Sequence, residues 1–529
     1  MKLNKYLHGS IYLLSIAINL ILAIIFFSSV TTHQLVDYFN SDDLFIPAIY
    51  KDLIIDKGSL QGWQLGTAIY LFPNMIACFL VLAITNNVVL ATYLLSLIQF
   101  CAFIFLINKV IKEACVNFSI DILILTNVLF SFFILVWVDD YRIVFQYFFP
   151  LHMGVFLIAL LNIYLSLKYL KNYQKKFLIA IAILNILAIA SDGIFIVFYI
   201  LPSLVALLLI YSKLKNSNIK RLFFINLISI VSGKLFLLIF KWIFRIKSQE
   251  PGFNFPNLVN SLHMFLSQLH DYLFSGDLKT IIWLISIVSL ILIFTYILKN
   301  FGTKIKEELL YHYFYLWFIV AFSLIVLLAP VFMGIYYDYS CIRYNVFVYY
   351  ALVGSFVFIL FHIFYYQNVY KFLSVTAILF LVTFLTFKIL HSNVAQGMKN
   401  NLNYYPEIAM AVDQLTESEN LKAGVAEYWH ARVVTMFSKN KVLVNHVYLD
   451  KLAPYHFLNK MSHYLYYPND SIIWYNFIIN HPSVDTNFIR STFGDYKVIS
   501  RGNYAIIKVP EFRYNPDNFS IVLKDSLNK

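Results

Sequence analysis

Charge is scarce in this sequence. Only 13% of its 529 residues are Asp, Glu, Lys or Arg, while 60% are hydrophobic; a soluble chain carries about a quarter charged. No soluble core hides that much apolar surface, so lipid must be the solvent for most of the chain. Cysteine is rare too. Cys78, Cys101, Cys115 and Cys341 all lie in or beside apolar runs, so the C-terminal part has no disulfide framework. The 13 histidines lack metal-ligand spacing, which leaves a zinc site without support. No internal repeat and no low-complexity tract stands out.

What is abundant is apolar sequence in blocks of about 20 residues, the length that crosses a hydrocarbon core of about 30 Å. Such runs lie near 10–30, 66–85, 88–108, 119–137, 150–170, 177–191, 194–212, 222–242, 280–299, 312–333, 345–366 and 371–390. The first is too long for a signal-peptide core, and Ser28-Ser29-Val30-Thr31 is a poor cleavage site, so it reads as an uncleaved span. The net charge of +12 falls in short loops, which makes it a topology signal and not a nucleic-acid stripe.

If all twelve runs crossed, the basic loops would fall on alternating wrong sides. If 66–85 instead dips in and returns, one side collects Lys2, Lys5, Lys109, Lys112, Lys168 to Lys176, Lys213 to Arg221, Lys299 to Lys306 and Lys371. The other keeps few basic residues, mainly Lys51, Lys57, Arg142, Lys247 and Arg343. The positive-inside rule therefore predicts about eleven spans, the N-terminus cytoplasmic and the C-terminus outside. Tyr70, Pro73 and Asn74, in the first half of 66–85, favour a juxtamembrane hairpin roofing a cavity; the alternative is a Pro-kinked span.

The expected fold class is mainly α: a polytopic transmembrane helix bundle over 1–390, with a first outer loop and juxtamembrane helices at 31–86. From about His391 charges return, and 391–529 reads as an α+β extracytoplasmic domain. Period-two alternation predicts strands at 441–444 and 503–509, and helices are expected near 403–416 and 453–464.

Polar outliers gather on the predicted outer side. In the first loop Asn40, Ser41, Asp42 and Asp43 precede Phe45, Ile49 and Leu53, whose spacing predicts an amphipathic helix along the interface that stops at Gly58. A Ser-Asp-Asp run before a helix with an early proline also reads as an N-cap. Capping needs only one of these residues. Asp139 and Asp140 form a second acidic pair, able to act as base or as ligands of a hard cation, or simply to pair with Arg142 in a solvated loop. Asp192-Gly193 reads as turn chemistry. Arg343, among Tyr336, Tyr337, Tyr339 and Tyr344, suits a phosphate at the membrane boundary or a snorkelling residue in an aromatic belt. Lys234 lies amid apolar residues at mid-span, where it lines a cavity or snorkels. Tyr428, Trp429 and His430 offer sugar or acceptor contacts, or belong to a core.

The layout resembles the type C glycosyltransferase superfamily, which includes protein O-mannosyltransferases, lipid A aminoarabinose transferases and oligosaccharyltransferase catalytic subunits. The acidic pair in a large first outer loop, the juxtamembrane segment and the C-terminal domain carry the resemblance. Stretches such as Trp63 with Ala68-Ile69-Tyr70-Leu71-Phe72-Pro73-Asn74, and Gly424-Val425-Ala426-Glu427-Tyr428-Trp429, look like those of uncharacterised bacterial members. The resemblance implies a multi-pass protein of the bacterial inner membrane with a periplasmic C-terminal domain. It implies transfer of a sugar, with inversion, from a polyprenyl-phosphate donor to an acceptor hydroxyl of a glycan, lipid or protein. Asp42 would be the base, with Asp43 supporting it, and Asp139 and Asp140 the second acidic element. A divalent cation, Mg or Mn, would be held by Asp43 and Asp139, and Arg343 or Lys234 would meet the departing phosphate. No Trp-Trp-Asp signature and no His-Pro-Pro run is present, which argues against transfer to asparagine and puts a protein hydroxyl acceptor in doubt. The alternative from another class is a secondary transporter or lipid-linked glycan flippase. An O-antigen-type polymerase and a non-catalytic scaffold are further alternatives.

The topology is testable with reporter fusions. A reporter active only outside the cytoplasm should work after Lys529 and within 31–65, and fail within 171–176 or 213–221. Activity at 171–176 would mean that 66–85 crosses the bilayer.

Overall fold

The structure, a computed structural model, describes residues 2–116, 118–137, 150–249, 252–274, 278–301, 307–338, 341, 344–364, 367–391 and 394–527. Among these, seven helices are long and apolar enough to cross a membrane: His8–Ser29, Val88–Ala114, His152–Asn172, Ile196–Leu214, Ser217–Phe244, Thr280–Lys299 and Glu307–Phe332. Leu71–Thr85, Ile120–Leu135, Val346–Leu360 and Phe372–Thr386 are shorter apolar helices. The chain is thus mainly helical, has several helices able to span a membrane, and ends in a β-containing region.

In lipid there is little hydrophobic drive between helices, so close approach and buried polar bonds hold a bundle together. A ladder of amides does this here. Asn162 Nδ2 donates to Asn185 Oδ1 at 2.9 Å, Asn185 Nδ2 to Asn226 Oδ1 at 3.0 Å, and Asn226 Nδ2 to Ser203 Oγ at 2.8 Å. Four helices are tied by residues with no exposed surface. A second set joins the first helix to two others. Asn127 Nδ2 donates to Ser15 Oγ at 3.0 Å, Asn19 Nδ2 to the Asn127 carbonyl at 2.9 Å, and Asn108 Nδ2 to Asn127 Oδ1 at 3.0 Å.

The segment expected to dip and return begins at Tyr70, whose φ of +51° turns the chain into a helical stretch, Leu71–Thr85. At 1.5 Å per residue these 15 residues reach about 22 Å, short of a hydrocarbon core. Asn86, also left-handed, ends the stretch, and Asn87 Oδ1 caps the next helix by accepting the Leu90 N–H at 2.9 Å. The two helices pack together as a hairpin.

Ten strands occur among the described residues: β1 Trp63–Leu65, β2 Lys247–Ser248, β3 Ala423–Ala426, β4 Leu443–Tyr448, β5 Ala453–Pro454, β6 Asn459–Lys460, β7 Tyr475–Ile479, β8 Lys497–Arg501, β9 Tyr504–Tyr514 and β10 Ile521–Leu523. The C-terminal sheet runs β10-β9-β7-β3-β4-β5, with β8 on β9. Its centre, β7-β3-β4, is parallel. The helix Tyr428–Phe437 links β3 to β4, so this region contains a βαβ unit and its sheet is mixed, which refines the expected α+β class. The reason is legible in burial. β3 and β7 are buried at every position, as parallel strands covered on both faces must be.

No helix forms at 453–464. Pro454 disfavours helix at the residue before it, Leu452 and Leu458 take left-handed φ, and the segment makes β5, β6 and one 3₁₀ turn, Met461–Tyr464. Strand β6 then pairs with β1, which pairs with β2, so a second small sheet stitches the first loop to the C-terminal region. The helix Val394–Leu402 adds another tie through Asn401 Nδ2, which donates to the Phe27 carbonyl.

Gly424 shows how tightly β3 and β7 fit. A β-carbon there would collide with the ring of Phe477, which is wholly buried. Gly424→Ala should therefore destabilise the C-terminal region by about 1–3 kcal/mol through overpacking. Thermal melting of the full-length protein checks this, and Phe477→Leu in the same chain should recover part of the loss. An unchanged melting point in Gly424→Ala would mean that the ring steps aside freely.

Candidate active site

The first loop presents its acidic pair in an unexpected way. Asn40 makes the turn: its Oδ1 accepts the N–H of Asp42 at 2.8 Å and of Asp43 at 3.2 Å, and its carbonyl accepts the Leu44 N–H at 3.0 Å. The helix Phe45–Tyr50 begins after Leu44 with no side-chain cap. Neither carboxylate caps it, so the capping explanation of the pair falls away. The first part of this helix turns inward, while its continuation, Lys51–Ile55, leaves Ile54 and Ile55 exposed. Phe45, Ile46, Pro47, Ile49 and Tyr50 are all buried, with Trp63 and Leu65 in the same cluster.

Asp42 is held from the C-terminal side. The Tyr428 hydroxyl donates to its Oδ1, and Ser41 Oγ donates to the Tyr428 carbonyl. One turn further along the same helix, Arg432 donates to the carbonyls of Ser41 and Leu458 and lies 6.0 Å from the centre of the Phe45 ring. Among the described residues no hydrogen bond reaches Asp42 Oδ2. Asp43 is buried beside it.

Below the pair lies Tyr70. Burial first, then the carboxylates of Asp192 and Asp42, then Tyr344 and Asp43, push its hydroxyl well above the ordinary tyrosine range. These groups lie within electrostatic reach of one partly buried ring. Ser191 fixes its backbone, accepting the N–H of Ile69 at 3.0 Å and of Tyr70 at 3.1 Å on its carbonyl and that of Phe72 at 2.8 Å on Oγ. Asp192 does more than turn the chain. Its Oδ1 accepts the Ile194 N–H at 3.1 Å while its Oδ2 lies 2.8 Å from His152 Nδ1. The His152 ring is 5.6 Å from that of Tyr70. Tyr70, His152, Asp192 and Arg432 are not among the site residues expected from sequence, where Tyr70 reads as part of the juxtamembrane hairpin and Asp192 as turn chemistry.

A second carboxylate fastens the same loop. Asp52 accepts Trp63 Nε1–H at 2.7 Å on Oδ2, with Lys460 Nζ at 3.5 Å, and His463 Nε2 lies 3.3 Å from Oδ1. Burial raises its pKa, but His463, Trp63 and Lys460 outweigh that and hold the carboxyl below the usual range. These partners flank or lie in the β1–β6 pairing, so Asp52 joins the first loop to the C-terminal region.

Among the remaining candidates, Asp139, Asp140 and Arg343 lie outside the described residues. Lys234 is exposed, its ammonium 4.0 Å from where a β-carbon on Gly193 would sit. The ammonium therefore lies beside the Asp192–Gly193 turn. The helix Ser217–Phe244 has 28 residues, about 42 Å, and Lys234 lies about 26 Å along it. His430 pairs with Glu427, which caps the helix Tyr428–Phe437 by accepting the N–H of Trp429 at 2.8 Å and of His430 at 2.9 Å. Trp429 is half exposed and packs edge-on against Tyr428. For a divalent cation the described residues supply the adjacent carboxylates of Asp42 and Asp43. No group of three or more His, Cys, Asp or Glu among them is placed to hold a metal.

No family model matches the chain, and no curated protein matches it.

The pH dependence of the junction follows from two groups. Burial first, then the Arg432 charge, pushes His446 down to about 3, and the neutral ring donates Nε2–H to the Phe457 carbonyl at 2.8 Å. A depressed histidine contributes its full stability above about pH 6.5 and loses it as pH falls towards 3. Asp52, also depressed, contributes fully above about pH 4 and loses that share as pH falls through its lowered value. Melting temperature should therefore drop from pH 7 to 4 because of His446, and more steeply below that because of Asp52. His446→Gln keeps a donor that cannot titrate, so it should flatten the upper part of the profile. An equal slope in that variant would assign it to other groups.

Proposed function

We propose that the chain is a membrane glycosyltransferase of the type C architecture, crossing the inner membrane about eleven times. It would move a sugar from a polyprenyl-phosphate donor to an acceptor hydroxyl at the outer face. The observation that carries this reading is the freedom of Asp42. It is released from capping by Asn40, steadied on Oδ1 by Tyr428 and adjacent to a buried second carboxylate.

In this reading Oδ2 of Asp42 takes the proton of the acceptor hydroxyl as that oxygen attacks the anomeric carbon. The bond from that carbon to the phosphate oxygen breaks, the lipid phosphate leaves with the electron pair, and the configuration inverts. Lys234, level with the Asp192 turn, and Arg343 are assigned to the negative charge that grows on the departing phosphate. Asp43 and the His152–Asp192 pair shape the field around Asp42 and Tyr70. Asp139 and Asp140 keep their assignment as the second acidic element, and a divalent cation bound there and at Asp43 would add Lewis acidity.

Asp42→Asn tests the reading, because the change is nearly isosteric, removes the charge and the basicity, and leaves an oxygen to accept the Tyr428 hydroxyl. In vesicles loaded with labelled polyprenyl-phosphate hexoses, transfer should fall roughly 10²–10⁴-fold, the usual share of a general base. Melting temperature and donor binding should hold. Full turnover in Asp42→Asn would remove Asp42 as base, and donor movement across the bilayer without transfer would favour the flippase alternative.

A further inference from the structure

We infer that the acceptor is a carbohydrate, and that it docks on a shelf of aromatic rings leading outward from Asp42 through Tyr428 and Tyr455 to Trp429 and Tyr448. This rests on the reading that Asp42 activates an acceptor hydroxyl, and it names the class of molecule that carries the hydroxyl.

The shelf starts at the reacting group. The Tyr428 hydroxyl donates to Asp42, and the ring of the same residue meets Trp429 at 5.0 Å and Tyr455 at 5.7 Å. Tyr455 in turn meets Tyr448 at 4.8 Å. Each step is edge-to-face, and the two ends of the run are open: Trp429 is 52% exposed and Tyr448 53%. A single exposed aromatic needs no explanation. Four in contact, anchored on a catalytic carboxylate, form a surface with a composition of its own.

The mounting is rigid. Trp429 and Tyr428 lie in the first turn of a helix capped by Glu427. Tyr448 ends β4, and the Tyr455 backbone is fixed at both groups, its N–H on the His446 carbonyl at 3.2 Å and its carbonyl accepting the Tyr464 hydroxyl at 2.8 Å. Rings held this way lose little freedom when a ligand stacks on them.

The chemistry selects among acceptors. None of the four rings carries a charge, and each tyrosine joins an apolar face to a hydroxyl. That combination matches a sugar, with its C–H face and its ring of hydroxyls. An anionic headgroup or acidic peptide would look for a cation, but Arg432 is buried and turns both terminal nitrogens to the Ser41 and Leu458 carbonyls. A peptide adding to the sheet would look for a free strand edge. Here the edge strand β5 is two residues long and one is proline, which has no N–H to offer. A glycan needs neither.

The test measures binding separately from transfer. The full-length protein in nanodiscs is mixed with neutral maltopentaose, cellopentaose, chitopentaose and mannopentaose, and saturation-transfer NMR reads which ring protons touch the protein. At least one should bind through its C–H protons. Trp429→Ala and Tyr448→Ala should each weaken it about tenfold or more, with Trp429→Phe keeping most of the affinity. Trp429 is half exposed, so its removal should leave the melting temperature unchanged. Binding by none of the four, or binding indifferent to Trp429→Ala, overturns the shelf. Transfer to a peptide or lipid without saccharide binding overturns the carbohydrate acceptor and leaves glycosyl transfer standing. Saccharide binding lost in Trp429→Ala, in a protein whose Asp42→Asn variant still turns over, keeps the shelf and removes the base.

Discussion

Arg432 carries a positive charge into a place where only 7% of its surface reaches solvent. Burial pulls against its charged form, and Tyr428 and Asp42 pull back. The guanidinium stays protonated because nothing in a protein strips it, so its donors must be satisfied where it lies. It finds them on two carbonyls that belong to different parts of the chain, Ser41 in the first loop and Leu458 just before β6. Much follows from that demand. The carbonyl of Ser41 is fixed, Asp42 follows it in the chain, and the Tyr428 hydroxyl, four residues before Arg432 on the same helix, lands on its carboxylate. Leu458 is fixed too, which sets β6 against β1 and brings Lys460 and His463 to Asp52. Removing one partner of a buried charge is far costlier than the charge is stabilising, commonly about 3–5 kcal/mol. The junction therefore holds one arrangement.

The helices beneath obey a different constraint. Asparagine is a poor helix former and an expensive group in lipid, yet Asn162, Asn185 and Asn226 are wholly buried. Each spends its amide on a neighbouring helix, and the helix Lys175–Ser191 that carries Asn185 ends at the Ser191–Asp192 turn. The ladder thus sets the position of the turn that accepts the backbone of 69–72 and pairs with His152. Gly233, one residue before Lys234, lets two of these helices meet, since a β-carbon there would press on Ile189. Positioning passes from the membrane amides up to Tyr70 and from the C-terminal sheet down to Asp42.

These two routes explain what could be read from the sequence. Membrane character, the acidic pair and strands β4 and β9 follow from composition and short-range period, and those are local properties. Asp192 was legible only as a turn, because an Asp-Gly pair signals its own backbone while its partner His152 stands 40 residues away. Ser-Asp-Asp also reads as a cap because those residues adjoin the helix, yet Asn40, just before them, closes the turn by accepting the N–H groups of Asp42 and Asp43. The residues 453–464 have a helix-like apolar count, but Pro454 and two left-handed leucines break the period.

On the proposed reading the base sits on a loop, an odd choice for a reaction that needs a fixed geometry, and the junction resolves it. Loops suit a site that must reach a lipid-borne donor, because they can lie at the mouth of a bundle. They place groups less precisely than helices or strands do. Here the loop borrows rigidity at two points: Arg432 and Tyr428 hold it at Ser41 and Asp42, and Asp52, through Trp63 and His463, fastens it further along. The same helix that steadies Asp42 carries Trp429, so any force that shifts the aromatic shelf also shifts the carboxylate. If Asp42 is the base and the rings hold the acceptor, as proposed, the two form one mechanical unit, and binding energy collected on the rings can be spent on orienting the hydroxyl at Asp42.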